Sequence, residues 1–520
     1  MRKNHADWMV RSAIWLVLGL PLAASLWAFL PADMEALRQT SRAFDFHAWQ
    51  RFWNSVRIGV WAAFFSLLFA LPVFVLYVHL PLSVRRWLMP LSLLPLSYPP
   101  YGVASAWMTW IALWEQGNRG RIMWAEGGIT ADFLYTLPGA GFILGLCYWP
   151  IVFLLLTLTS RLSRAQHDSA RIYLQGRTQF RFVFFPAWKE PIAVAASIIF
   201  CLGMVQFETP SLLQISVYPL EIFIRFSALL NEDQALFLCI VYLPILITLA
   251  WGISRIVRLI QSKGGEELMF HSLRIRWFAV TGTGIIFVLS VLIPLFGLLS
   301  HAGSVEFTLQ IVSRHMPRIL RSLFLCGMGA FLTVSAGFLF VSFGRSKRNM
   351  VHLSLILLLF VMPGVMIAAG WLYLRSLWPG ALPEAMSVVT LLLAYTSHFF
   401  VLGYLTGLLL WRYYGKSQKE HDSLLRLTFA EKCRLLYWPN FRLPFLQATA
   451  LVSLFLWGDV GITVLLHPAG WDTLAVEYFN LLHYGSEPRT AVIGLMLMGL
   501  PAIGMLLLLM TIRKKRTTNS

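Results

Sequence analysis

Residues 55–79 read SVRIGVWAAFFSLLFALPVFVLYVH, and no charged side chain stands between Arg57 and His79. A run of this kind is long enough to cross a hydrocarbon layer of roughly 30 Å as a helix. In lipid a helix is the form that satisfies every backbone N–H and C=O within one segment. Eleven further stretches read the same way, at about 11–30, 87–111, 135–160, 191–213, 235–256, 277–299, 319–343, 350–376, 385–411, 443–465 and 489–512. They are numbered as spans 1–12 in chain order, 55–79 being span 2. The composition agrees: of 520 residues 58% are hydrophobic and 13% charged, about half the charge of a soluble domain. This excludes a water-soluble enzyme and a disordered chain. The expected fold is an all-α polytopic membrane protein.

The net charge of +18 would suggest nucleic acid in a soluble protein. Its distribution says otherwise. With the N-terminus inside, alternate loops hold 30 of the 42 Lys and Arg, including Arg161, Arg164, Arg171, Arg177 and Arg181 after span 4 and Arg412, Lys416, Lys419 and Arg426 after span 10. Positive charge gathers on the cytoplasmic side of membrane proteins. Both termini are therefore expected inside, the lipid bilayer is the partner, and no nucleic acid is implied. Arg2-Lys3 followed by an apolar run looks like a signal peptide, but the run continues through Trp27-Ala28-Phe29-Leu30. That is too long for a cleaved h-region, and an uncleaved first span is expected. The five Cys show no Cys-x-x-Cys spacing, so neither a disulfide framework nor a metal site is read from them.

The chain reads as if written twice. Asn54-Ser55-Val56 opens span 2 and Arg321-Ser322-Leu323 opens span 8, 267 positions on. Pro99 and Trp107 in span 3 match Pro363 and Trp371 in span 9, 264 on. His167-Asp168-Ser169 matches His421-Asp422-Ser423, and Pro191 and Glu221 match Pro444 and Glu477. Gly141-x-x-x-Gly145 in span 4 and Gly403-x-x-x-Gly407 in span 10 have the close-packing spacing of membrane helices. The order is the same in both halves. Two six-helix repeats in parallel orientation are expected, residues 1–262 and 263–520.

Two long basic inside loops occupy equivalent places. Each mixes polar and apolar residues at helical spacing and stops at Pro186 or Pro439. Thr428-x-x-Glu431 fits a capping box, which predicts a second short helix there. Gly176 breaks the first loop at a comparable place. Exposed amphipathic helices need lipid, the rest of the chain or a partner to cover them.

These loops resemble the coupling loops of permease subunits of binding-protein-dependent ATP-binding-cassette (ABC) importers, type I, in the fused two-times-six-helix branch that serves ferric iron and thiamine. Asp168-Ser169-Ala170, Gly176 and Pro186 approximate the first copy of the motif, and Asp422-Ser423-Leu424 with Pro439 the second. Glu-Ala-Ala itself is absent and the second loop has no Gly, so the motifs are degenerate. The late element of spans 5 and 11 appears as Gln206-Phe207-Glu208 and Asp459-Val460-Gly461. The resemblance implies a transport subunit of a bacterial inner membrane, not an enzyme, with no cofactor of its own. It implies a homodimer of ATPase subunits carrying ATP and Mg, and a periplasmic or lipid-anchored substrate-binding protein. Gly415-Lys416-Ser417 is not a P-loop, because Leu410 stands where the first Gly is required.

Charged groups inside a membrane are functional candidates. Asp459 lies 15 residues past Pro444, roughly 22 Å along a helix, toward the outer end of span 11. Gln206 has the same separation from Pro191, and Glu208 follows. They are read either as a polar rim of a translocation path or as interfacial residues. His398 in span 10 is read as a path residue or as an interhelical hydrogen-bonding group. A secondary transporter with twelve helices and a membrane scaffold are the competing readings. Ion coupling would require ionisable residues at the midplane.

Overall fold

A computed structural model describes residues 12–20, 23–24, 44–118, 129–159, 161–162, 178, 185–229, 231–260, 266–267, 273–343, 350–377, 384–413, 429–483 and 488–517. The described chain is almost wholly helical. Its one extended pairing joins Arg161–Leu162 to Glu266–Glu267, antiparallel. The main helices are α1 Phe46–His79, α2 Leu82–Leu91, α3 Pro100–Asn118, α4 Leu137–Thr159, α5 Phe185–Val205, α6 Glu208–Leu212, α7 Tyr218–Ser227, α8 Glu232–Ile260, α9 Leu273–Phe287 and α10 Ile293–His301. There follow α11 Val305–Ser342, α12 Met350–Val361, α13 Gly364–Ser376, α14 Glu384–His398, α15 Phe400–Tyr413, α16 Trp438–Trp457, α17 Thr463–Leu466, α18 Leu474–Leu482 and α19 Pro488–Thr517.

Among the described residues six helices are long and apolar enough to cross a membrane: Phe46–His79, Leu137–Thr157, Trp188–Val205, Glu232–Arg255, Trp277–His301 and Val305–Ser342. The bent pairs α12/α13 and α14/α15 raise the number to eight. The chain has the structure of a polytopic helical membrane protein. Helix α1 shows why. Ile58, Ala62, Ser66, Ala70 and Val73 are buried, yet Val60, Phe64 and Leu68 on its other side are half exposed. A helix apolar all round, with one face uncovered, is suited to lipid on that face.

Two of the described spans are broken at proline. Span 3 is broken between α2 and α3, and α12 meets α13 at 97°. Proline lacks the N–H that would continue the ladder and disfavours a helical residue before it. The proline's own carbonyl starts the next helix: Pro99 O accepts Gly102 N at 2.9 Å, and Pro363 O accepts Met366 N at 2.9 Å. Pro191 and Pro444 do not open their helices. They lie inside α5 and α16, which begin at Phe185 and Trp438. Pro186 is the second residue of α5, and Pro439 stands where a π turn, Cys433–Tyr437, runs directly into α16.

The chain gathers into two compact units, Arg38–Arg314 with Glu477–Ala502, and Met1–Leu37 with His315–Val476 and Ile503–Ser520. In the first, α1 packs along α4 and α5, and α9 lies against α1. Gly145 permits the α1–α4 contact: a Cβ there would stand 2.5 Å from Phe65 Cβ, and one at Gly141 would overlap Trp61. In the second unit, α15 packs on α12 and α16, and α13 on α14 and α17. A Cβ at Gly403 would overlap the Thr333 carbonyl, and one at Gly407 would lie 2.6 Å from Gly337 O. Both Gly-x-x-x-Gly pairs thus bring two backbones together, each within its own unit.

Candidate functional site: carboxylates at broken helices

Helix α16 ends at Trp457, and the backbone breaks through Gly458 to Ile462 before α17. Asp459 therefore lies in a break, not within a continuous span 11. Its Oδ2 accepts the N–H groups of Ile462 and Thr463, both at 3.2 Å, and the Thr463 hydroxyl at 2.9 Å. It satisfies first-turn donors of α17 that no helical carbonyl reaches. Thr463 Oγ1 also lies 2.5 Å from Tyr395 OH. An ionised carboxylate only accepts, so Thr463 donates to Asp459 and Tyr395 donates to Thr463. Tyr395 and Thr463 are fully buried, and Asp459 is half-buried. Tyr395 stands one turn before the second break of this unit, where α14 and α15 meet at 64°. Gly364, at the third break, lies against Ile462, with room for no more than a tightly fitted Cβ at 3.1 Å. Three interrupted helices therefore converge near Asp459.

The other unit holds a comparable arrangement. Helix α5 ends at Val205 and α6 starts at Glu208. Gln206 Nε2 donates to Glu208 Oε2 at 2.6 Å, and Tyr148 OH on α4 donates to Gln206 Oε1 at 3.3 Å. Helix α6 packs on α3 just as α17 packs on α13. In both units a tyrosine of span 4 or 10 reaches, through one polar side chain, a carboxylate at the break of span 5 or 11.

A second pair of contacts fastens the loop that follows each break. Ser55 Oγ donates to Arg51 O at 3.1 Å and accepts the N–H of Tyr218, the first residue of α7, at 3.0 Å. Ser322 Oγ donates to Arg318 O at 2.8 Å and accepts the N–H of Leu474, the first residue of α18, at 2.8 Å. Each serine caps a helix from which it is distant in sequence. An ion pair lies beside each cap. Arg51 and Arg225 bind Glu221 at 2.9 and 2.7 Å. Arg318 binds Asp472, with Arg321 at 3.6 Å. Burial pushes the Asp472 carboxyl up, but the hydrogen bond and charge of Arg318, with Arg321 behind, outweigh it and hold the group below its ordinary 3.8.

His398 Nδ1 donates to Leu359 O at 3.0 Å, tying α14 to α12. His167, Asp168, Ser169, Ala170, Gly176, His421, Asp422, Ser423 and Thr428 lie outside the described residues. Glu431 lies on a short described helix, Phe429–Lys432, which leads through a π turn into α16. Among the described residues no three His, Cys, Asp or Glu side chains are grouped to hold a metal. Sequence reading missed Tyr148, Tyr395 and Thr463. Tyrosine and threonine are ordinary in apolar helices, and no local signal marks their partners. The serines carried a signal, since they share the 267-residue offset with Arg51 and Arg318.

Comparison with protein-family models, with curated proteins and with solved structures finds no match for this chain.

Proposed function

We propose that the chain is the transmembrane permease subunit of an ABC importer. It has twelve spans in two parallel six-helix repeats and both termini in the cytoplasm of a bacterial cell. ATP hydrolysis takes place on separate ATPase subunits, which the loops around Asp168 and Asp422 engage. A periplasmic or lipid-anchored binding protein delivers the solute. The observation that carries this reading is the doubled arrangement: Ser55 with Tyr218 and Ser322 with Leu474, each beside an Arg–carboxylate pair. Such a correspondence supports two copies of one ancestral unit, and the degenerate coupling motifs fit the same family. Glu208 and Asp459 at helix breaks supply fixed negative charge to the path, with Gln206 and His398 near it. Acceptors of that charge favour a cation such as ferric iron or thiamine.

The test is affinity purification of the chain from its native membrane. A P-loop ATPase should co-purify, and the double variant Asp168→Lys, Asp422→Lys should lose it while still inserting. Retention of the ATPase and of full transport by the double variant would reduce the loops to linkers. Labelling of a cysteine at Ala469, but not at Ser417, from outside intact cells tests the orientation. A second reading, an ion-coupled carrier, is favoured by the carboxylates at broken helices, the usual place of ion sites in such proteins. Transport driven by an imposed ion gradient in vesicles without any ATPase would establish it in place of the first.

A further inference from the structure

Phe223 follows Glu221 by two residues on α7, and Phe479 follows Glu477 by two residues on α18. The two phenylalanines are 256 positions apart, as the two glutamates are. Both rings lie against a third, Phe207, in the break between α5 and α6. Phe207 stacks on Phe223 with ring centres 4.9 Å apart and meets Phe479 edge-on at 6.3 Å. Tyr101, two residues past Pro99 at the break of span 3, touches Tyr478 and Phe479, both at 5.9 Å. These are the spacings of packed aromatic pairs. Tyr101, Phe207, Tyr478 and Phe479 are buried, and the whole cluster belongs to the unit that joins Arg38–Arg314 with Glu477–Ala502.

Three features set this cluster apart from ordinary core packing. First, one residue is touched by equivalent residues of both repeats. Such a residue stands where the two repeats meet, and in transporters built of repeats the solute route lies at that junction. Second, the rings come from helix breaks and from the short helices that follow them. Elements of that kind, and not the long spans, supply the moving parts of gates. Third, Phe207 stands between Gln206 and Glu208, which are joined by a hydrogen bond of 2.6 Å. An apolar ring is thus set into a polar stretch. The residue equivalent to Phe207 in the second repeat is Val460, 253 positions on, so the large ring comes from one break only.

We propose that Phe207, held between Phe223 and Phe479, is an apolar gate that seals the solute route beside Gln206 and Glu208, and that opening requires α7 and α18 to part from it. A constriction of apolar rings excludes water and hydrated ions without using charge. The inference rests on the transport reading for the existence of a route, but its test needs neither ATPase nor substrate. A cysteine replaces Gln206 in the full chain, reconstituted in liposomes. Its reaction with a membrane-impermeant trimethylammonium methanethiosulfonate is timed against the chain without that cysteine, with reagent applied to each face in turn. The gated chain should react slowly. Phe479→Ala should speed the reaction about tenfold or more, and Phe479→Leu, which refills the space, should leave it slow. Phe223 is only half-buried, so Phe223→Ala gives the same reading if Phe479→Ala does not fold. Phe153→Ala, which opens buried aromatic packing elsewhere in the unit, should not speed it. Acceleration from the cytoplasmic face alone would support the gate and refute the proposed orientation. A cysteine at 206 that reacts fast before any ring is removed overturns the gate. So does a rate unchanged by Phe223→Ala and Phe479→Ala, or raised equally by Phe153→Ala.

Discussion

Ser322 Oγ accepts the backbone N–H of Leu474 across 152 positions of sequence and at the same time donates to Arg318 O. Leu474 N is the first donor of α18 and has no helical carbonyl to reach. Ser322→Ala leaves that buried N–H without an acceptor. The cost should be about 1–2 kcal/mol, read as faster hydrogen exchange at the Leu474 amide and a lower Tm. Ser55→Ala should act equally at Tyr218. Unchanged exchange at both amides would show that the caps do not hold these loops.

Gly403 and Gly327 should respond in opposite directions to alanine. A Cβ at Gly403 overlaps the Thr333 carbonyl, whereas one at Gly327 meets nothing within 4 Å. Gly403→Ala should destabilise by roughly 1–3 kcal/mol through forced separation of α11 and α15. Gly327→Ala should stabilise by about 0.5–1 kcal/mol through backbone entropy. Thermal unfolding in one detergent compares the two, and equal shifts would remove the close-packing account.

Asp459 separates structure from charge. Asp459→Asn keeps an oxygen for the N–H groups of Ile462 and Thr463, and Asp459→Ala does not. The alanine variant should unfold at lower temperature, by an amount corresponding to about 1–3 kcal/mol, and the asparagine variant close to the wild type. Under the proposed function both should transport less. Wild-type transport by Asp459→Asn would mean that the charge is unused.

Asp472 sets an acid limit. Its folded value lies below 3.8 because Arg318 and Arg321 favour the ionised form over the opposing effect of burial. A depressed carboxylate contributes stability at pH above its unfolded value, and loses it as pH falls through the folded one. The Asp472 contribution should be constant from pH 8 to about 5, start to fall near the unfolded carboxylate value of about 3.9, and be lost only as pH passes below the folded value. Asp472→Asn should remove that part of the acid transition at a cost below about 1 kcal/mol at neutral pH, since the pair is partly exposed to solvent. An unchanged acid profile in Asp472→Asn would contradict this.

The apolar runs by themselves determined the helical membrane class. Within lipid each backbone group must be satisfied inside its own segment, so twenty-odd apolar residues dictate a helix without reference to the rest of the chain. The same local logic made both Gly-x-x-x-Gly pairs visible as close contacts, whereas Pro99 and Pro363 were legible only as marks of a repeat and their helix breaks came from the structure. Tertiary structure decided what those features do. The angle of 97° between α12 and α13 depends on what packs around the break. The partners of Asp459 were also beyond reach of sequence reading: Tyr395 reaches it through Thr463, 68 positions further on. A hydrogen bond between residues that far apart leaves no periodicity in the chain. It exists only because three interrupted helices bring their ends to one place, and that convergence is a property of packing.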